Sequence, residues 1–64
     1  MPTISAILDM DEIELDFDPV HPECPVLYRY PEVSEEWRSC PFQSADLRHL
    51  TDEAACAKVN DWVD

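Results

Sequence analysis

The 64-residue chain contains no glycine, only four basic residues, and no apolar run long enough to span a membrane. Without glycine, its turns must rely on Pro, Asp, Asn and Ser, and six prolines supply most of the chain breaks. Four bases are too few for direct binding of nucleic acid, because phosphate contacts require Lys and Arg. The N-terminal residues show neither a basic region nor a cleavage site of the secretory type. These absences predict a cytoplasmic protein that binds neither nucleic acid nor membranes.

The length predicts one small domain, residues 1–64, with a modest core. A chain of this size buries only about 60% of the surface that its unfolded form exposes. A typical ligand pocket occupies at least about 300 Å³ and needs walls to line it. We therefore predict no enzymatic activity, no catalytic residues and no cofactor.

The cysteines and histidines were considered as metal ligands. Three cysteines cannot all pair within one chain, and cytosolic thiols stay reduced. A structural zinc site usually takes four ligands from two close pairs, but this sequence offers a single close pair, His21 and Cys24. Cys40, His49 and Cys56 are isolated from one another. We predict no metal ligands, with a zinc-stapled small domain as an alternative.

Three segments of the N-terminal half are predicted to be strands. Residues 3–8 (TISAIL) are rich in residues that favour strands, and residues 12–18 (EIELDFD) alternate acidic and apolar side chains. The link between them favours either a hairpin or one long bent strand, since it lacks the Gly or Asn of a favoured two-residue turn. Residues 25–30 (PVLYRY) form the third predicted strand, in which Tyr28 and Tyr30 share one face and are expected to pack in the core.

The C-terminal half is predicted to be helical. Residues 31–40 are predicted to form one or two helical turns after Pro31, and Ser44 is predicted to cap a short helix over residues 45–50. Thr51 is predicted to cap a final helix over residues 52–63 (DEAACAKVNDWV), whose apolar stripe contains Ala55, Val59, Trp62 and Val63. The predicted fold class is α+β: a small antiparallel sheet of two or three strands packed against a C-terminal amphipathic helix.

The acids are concentrated in two clusters, and the net charge is −11 at pH 7. In a strand over residues 12–18, four acids point to one face at a spacing of about 6.6–6.8 Å. Consecutive phosphates of a nucleic-acid strand are separated by a comparable distance. Either this row is a binding surface, or it is the solvated face of a strand whose charge discourages aggregation. The four acids are Glu12, Glu14, Asp16 and Asp18.

The second cluster is close to an aromatic residue. Glu32, Glu35 and Glu36 have the spacing that brings side chains to one helical face, and Trp37 follows as a candidate apolar anchor. Asp9 and Asp11 extend the first cluster along the chain. The predicted partner-binding residues are Asp9, Asp11, Glu12, Glu14, Asp16, Asp18, Glu32, Glu35, Glu36 and Trp37.

The two acidic clusters, the small size and the charge resemble the small acidic inhibitors that phages and mobile elements encode. These include mimics of nucleic acid that block restriction enzymes, repair glycosylases, CRISPR effectors or polymerases. The resemblance implies inhibition by occupying the basic nucleic-acid site of a protein partner. A small interaction module, such as an antitoxin or adaptor that binds through apolar contacts, is the alternative.

Overall fold

The strands pair in chain order to form one antiparallel sheet of four strands. The computed structural model describes residues 3–8, 11–18 and 20–64. Neighbouring strands are all antiparallel, so the general α+β class is confirmed, but the sheet has four strands rather than two or three. The elements are β1 (Thr3–Leu8), β2 (Asp11–Asp16), β3 (Pro25–Arg29), β4 (Arg38–Gln43), α1 (Ser44–Leu47) and α2 (Asp52–Val63).

Strands β1 and β2 form the hairpin that was one of the two sequence-based alternatives. Their register runs from Leu8 opposite Asp11 to Thr3 opposite Asp16, which rules out one long bent strand. The connecting residues, Asp9 and Met10, lie outside the described residues. Strand β2 ends at Asp16, two residues earlier than predicted, because the chain turns into a loop after this point.

Alternation along β2 separates the two faces of the sheet. Ile13 and Leu15 are fully buried, and Phe17 just beyond the strand is nearly so. These side chains face the helices, and we call this side the inner face. Glu12, Glu14 and Asp16 point to the opposite side, the outer face, and are half-buried. The alternation thus places core side chains on one face and Glu12, Glu14 and Asp16 on the other.

The prediction of helical turns over residues 31–40 is wrong. Backbone N–H groups of Val33 and Ser34 both donate to the carbonyl oxygen of Tyr30, at 2.8 and 2.9 Å, which closes a single turn. The chain then enters β4, which pairs with β3. Pro41 cannot donate to a neighbouring strand, but β4 is at the edge of the sheet, where proline is tolerated.

Helix α2 has the predicted bounds and the predicted cap. The Thr51 hydroxyl accepts a hydrogen bond from the Ala54 N–H at 3.2 Å. Ala55 and Val59 of the predicted stripe are buried, and Cys56 is buried beside them as expected of a small apolar side chain. Among the described residues, no helix is long and apolar enough to cross a membrane.

The other end of α2 departs from the predicted stripe. Trp62 and Val63 are 44% and 40% exposed. Trp62 nevertheless packs edge-to-face on Tyr28, with ring centroids 5.7 Å apart.

The cap of α1 is Gln43 rather than Ser44. The Gln43 N–H donates a hydrogen bond to Asp46 Oδ2 at 2.8 Å.

A tyrosine joins the sheet to α2. The Tyr30 hydroxyl donates a hydrogen bond to Oδ1 of Asn60 at 2.8 Å, and Asn60 is only 5% exposed. Tyr30 also packs against Tyr28 with ring centroids 6.1 Å apart, so the expected core role of the two tyrosines is confirmed. A buried amide that lost this partner would bear an uncompensated desolvation cost.

We therefore expect Tyr30→Phe to destabilise the domain by about 1–2 kcal/mol, because the Asn60 amide oxygen loses its buried donor. Urea denaturation followed by circular dichroism measures the loss. Tyr28→Phe is the matched control, since it removes a hydroxyl from the tyrosine that packs on Tyr30 and leaves the Tyr30–Asn60 bond intact. Equal losses for the two variants would contradict the assignment.

Candidate functional site

The outer face of the sheet is the candidate functional site. The buried residues of both helices, Leu47 of α1 and Ala55, Cys56 and Val59 of α2, belong to the core on the inner face. Glu12, Glu14 and Asp16 of β2 therefore point away from both helices. In an antiparallel sheet, residues that face each other across two strands share one side, which places Leu27 and Arg29 of β3 beside Asp16 and Glu14.

Arg29 organises the centre of this face. Its Nε donates to Oε1 of Glu14 at 2.6 Å, and both side chains are mostly shielded from solvent, at 27% and 19% exposure. Its Nη1 donates to the backbone oxygen of Glu35 at 3.2 Å. The guanidinium carbon lies 4.4 Å from the centroid of the Trp37 ring. One cation therefore binds an acid of β2, the segment before β4 and an aromatic ring.

The second acidic cluster lies beside the outer face, but it is not on the helical turns that the sequence predicts. Glu32, Glu35 and Glu36 are exposed and lie in the turn and irregular segment between β3 and β4, not on a helical face. The contact of Arg29 with the Glu35 backbone draws this segment to the acidic row. Trp37 lies beneath the guanidinium and is half-buried, so its ring is part of the face rather than a separate anchor.

Two of the predicted acids that the structure describes, Asp11 and Asp18, are not part of the row. Asp11 pairs with Leu8 and shares the face of Ile13, at the opposite side of the sheet. Asp9 lies outside the described residues. Asp18 lies beyond the end of β2, where its Oδ1 accepts from the N–H groups of Val20 and His21 at 2.9 and 3.2 Å.

Asp18 also pairs with the ring of His21. Its Oδ2 lies 2.8 Å from His21 Nδ1. The hydrogen bond that the His21 ring donates to Asp18 lowers the pKa of Asp18 below its ordinary value, and the same bond raises the pKa of His21. Desolvation and the charge of Asp18 raise the pKa of the nearby Cys24 thiol. Each shift has the sign expected of an ion pair beside a neutral thiol.

Of the cysteines and histidines, the fold keeps His21 and Cys24 together and places Cys40, His49 and Cys56 elsewhere. Cys40 and Cys56 are buried in the core, and desolvation raises the pKa of Cys56 to about 11. His49 is exposed in the turn after α1. Among the described residues, one group of metal-ligating side chains is brought together, and it joins His21 and Cys24 to Asp18. The spacing D-x2-H-x2-C indicates this group in the sequence, but the alternation of residues 12–18 favours placing Asp18 in the acidic row.

The comparisons with known proteins add no relative. No protein-family model, no curated protein and no solved structure matches this chain.

The Asp18–His21 pair predicts a pH-dependent contribution to stability. A raised folded-state pKa of His21 means that its contribution is complete below pH 6.5 and is lost as the pH rises through that pKa. A lowered pKa of Asp18 means that its contribution is complete above pH 3.8 and is lost as the pH falls. We expect Asp18→Asn to lower the pKa of His21, measured by NMR titration of the ring protons in metal-free buffer.

Glu23→Gln is the control, since Glu23 raises the pKa of His21 only through its charge and less than Asp18 does. The decrease should be clearly smaller than for Asp18→Asn. A His21 pKa that Asp18→Asn leaves unchanged would show that the pair does not exist in solution.

Proposed function

We propose that the protein is a non-enzymatic inhibitor whose outer face binds the basic groove of a nucleic-acid-processing protein. The target class comprises nucleases, CRISPR effectors, restriction enzymes and polymerases. The observation that supports this proposal most directly is the row of acids on a sheet face directed away from both helices. The segment with Glu32, Glu35 and Glu36 lies next to the row and widens the negative surface.

The acids of the row have different tasks in this proposal. Glu14 is held by Arg29, so its carboxylate has a fixed position but is partly neutralised. Glu12 and Asp16 flank it on the same face at about 6.6–6.8 Å along the strand, and they act as the phosphate surrogates. Glu12 and Asp16 are therefore about 13 Å apart, so in a groove whose Lys and Arg normally contact phosphates they would occupy two phosphate positions separated by one, with Glu14 at the position between them.

Charge also governs how the two proteins would meet. With a net charge of −11, the domain is attracted over a distance to any basic groove, and this attraction accelerates association. Salt screens such an interaction, with a Debye length of about 10 Å at 0.1 M ionic strength. Competition with nucleic acid and steep sensitivity to salt are therefore the two expected properties of the complex.

An apolar surface supports a second candidate function, a small protein–protein interaction module. A depression of about 250 Å³ is lined in part by Tyr28, Tyr30, Val33 and Val63, and Val33 is 86% exposed. A partner that inserted an apolar side chain here would gain affinity from buried area rather than from charge. Its complex would persist at high salt, which separates the two functions experimentally.

The test is charge reversal at the flanking acids. We expect Glu12→Lys combined with Asp16→Lys to abolish binding to the partner, because both phosphate surrogates become cations. Glu14 is a poorer choice, since a lysine there would face Arg29 and destabilise the sheet. The protein is immobilised, exposed to bacterial lysate, and eluted first with a short DNA duplex and then with salt; eluted proteins are identified by mass spectrometry.

Asp61→Lys combined with Asp64→Lys is the matched control. Both acids are exposed at the end of α2, and reversing them changes the net charge by the same amount. This control should still capture a partner that the duplex displaces. Capture that survives high salt and excess duplex, or equal loss in both double variants, would contradict the proposal; the former result would favour the apolar module.

A further inference from the structure

Three different metal-ligating side chains converge in the loop that follows β2. Asp18, His21 and Cys24 each offer one ligand atom, and these atoms all lie within 4.8 Å of one another. Around a tetrahedral Zn²⁺, with bonds of about 2.0–2.3 Å, ligand atoms are roughly 3.3–3.7 Å apart. Side-chain adjustments of about 1 Å would complete that geometry. We propose that Asp18, His21 and Cys24 bind a Zn²⁺ ion.

The backbone that carries the three ligands is fixed independently of any metal. The Ser44 hydroxyl, which is fully buried, donates to the carbonyl oxygen of Asp18 at 2.8 Å. The Ser44 N–H donates to the carbonyl oxygen of Cys24 at 2.9 Å, and the Ala45 N–H donates to that of Pro22 at 2.9 Å. These N–H groups begin α1 and have no partner within the helix. The backbone carbonyl groups of Asp18, Pro22 and Cys24 are thus held before an ion binds, and this lowers the entropic cost of binding.

The ligand types select the class of metal. A thiolate and an imidazole favour Zn²⁺ and neighbouring transition metals, whereas Ca²⁺ and Mg²⁺ prefer sites made of oxygen ligands alone. Cys24 is the accessible thiol of the chain, since Cys40 and Cys56 are buried in the core. The ion would take the place of the proton between Asp18 Oδ2 and His21 Nδ1. Its binding would release the proton of the Cys24 sulfur; the Nδ1 proton would be released from a protonated ring, or would move to Nε2 in a neutral one.

Three protein ligands leave a fourth position for water. Asp18 and Cys24 border a depression of about 240 Å³ that Asp16, Pro25 and Leu27 also line. A water molecule occupies about 30 Å³, so the depression has room for it. Asp16 adds negative charge that attracts a cation to this position. The Asp18–His21 ion pair accounts for the proximity of those two side chains, but not for the Cys24 thiol beside them.

The inference is independent of the proposed inhibitory function, and its test needs no partner. The tag-free full-length protein is reduced, freed of metal and titrated with Co²⁺, which takes the same ligands as Zn²⁺ and gives visible absorption. We expect one equivalent to produce tetrahedral d–d bands together with a thiolate-to-cobalt charge-transfer band. Addition of Zn²⁺ should bleach both, and excess Mg²⁺ or Ca²⁺ should bleach neither.

Two variants locate the ion. Cys24→Ser should abolish the charge-transfer band, and His21→Gln should weaken Co²⁺ binding at least tenfold. His49→Gln, which removes the other exposed histidine, is the matched control and should bind like the original protein. Absence of a charge-transfer band in the original protein would overturn the proposal. So would a band that Cys24→Ser retains, because the metal would then be held by another cysteine.

Thermal melting gives a readout that does not depend on absorption. With free Zn²⁺ at 100 times its Kd, we expect the melting temperature of the original protein to rise by about 10 °C or more. The rise should be reversed by a chelator and absent from the double variant Cys24→Ser, His21→Gln. An equal rise in the double variant would show that Zn²⁺ binds elsewhere and would overturn the proposal.

Discussion

The alternation of side chains along β2 is the constraint on which both the core and the acidic surface depend. Ile13 and Leu15 are completely buried between the sheet and the helices. Because successive side chains point to opposite faces, the same register places Glu12, Glu14 and Asp16 on the outer face. A slip by one residue would bury the carboxylates and expose the core, so burial of two aliphatic residues fixes the register. The acidic row therefore cannot move to the inner face without loss of the fold.

Arg29 offsets the repulsion between the acids at the centre of the row and leaves the charge of the flanking acids in place. Like charges on one strand repel, and the chain has only four basic residues with which to offset fifteen acids. The β2–β3 register sets Arg29 directly opposite Glu14, where it binds the carboxylate and packs on Trp37. Leu27, the residue opposite Asp16, carries no charge. Internal pairing is thus concentrated at the middle acid, and the flanking acids keep charge that an external cationic surface can recognise.

The sequence patterns correctly predicted the elements that depend on residues close together in the chain. The period of two in residues 12–18 and the Thr51 cap with its following stripe predicted β2 and α2, and both bounds of α2 agree with the structure. The prediction of helical turns over residues 31–40 is wrong because Pro31 and the i, i+3, i+4 acids resemble a helix start, whereas β4 depends on pairing with β3, a non-local interaction. The Arg29–Glu14 pair joins residues fifteen positions apart, and it follows from the strand register rather than from either residue's neighbours.

Asp16 and Asp18 belong to the same alternating pattern, but they lie in different environments because strand pairing ends between them. Asp16 is the last residue of β2 to pair with β3, so its side chain keeps the alternation and points to the outer face. Asp18 has the same parity, but its backbone oxygen is held by buried Ser44 and its carboxylate turns to the N–H groups and ring of its own loop. The pattern alone cannot distinguish the two, because the difference is made by a hydrogen bond from a helix twenty-six residues away. One acid is thereby directed to the outer face, and the other is placed beside His21 and Cys24.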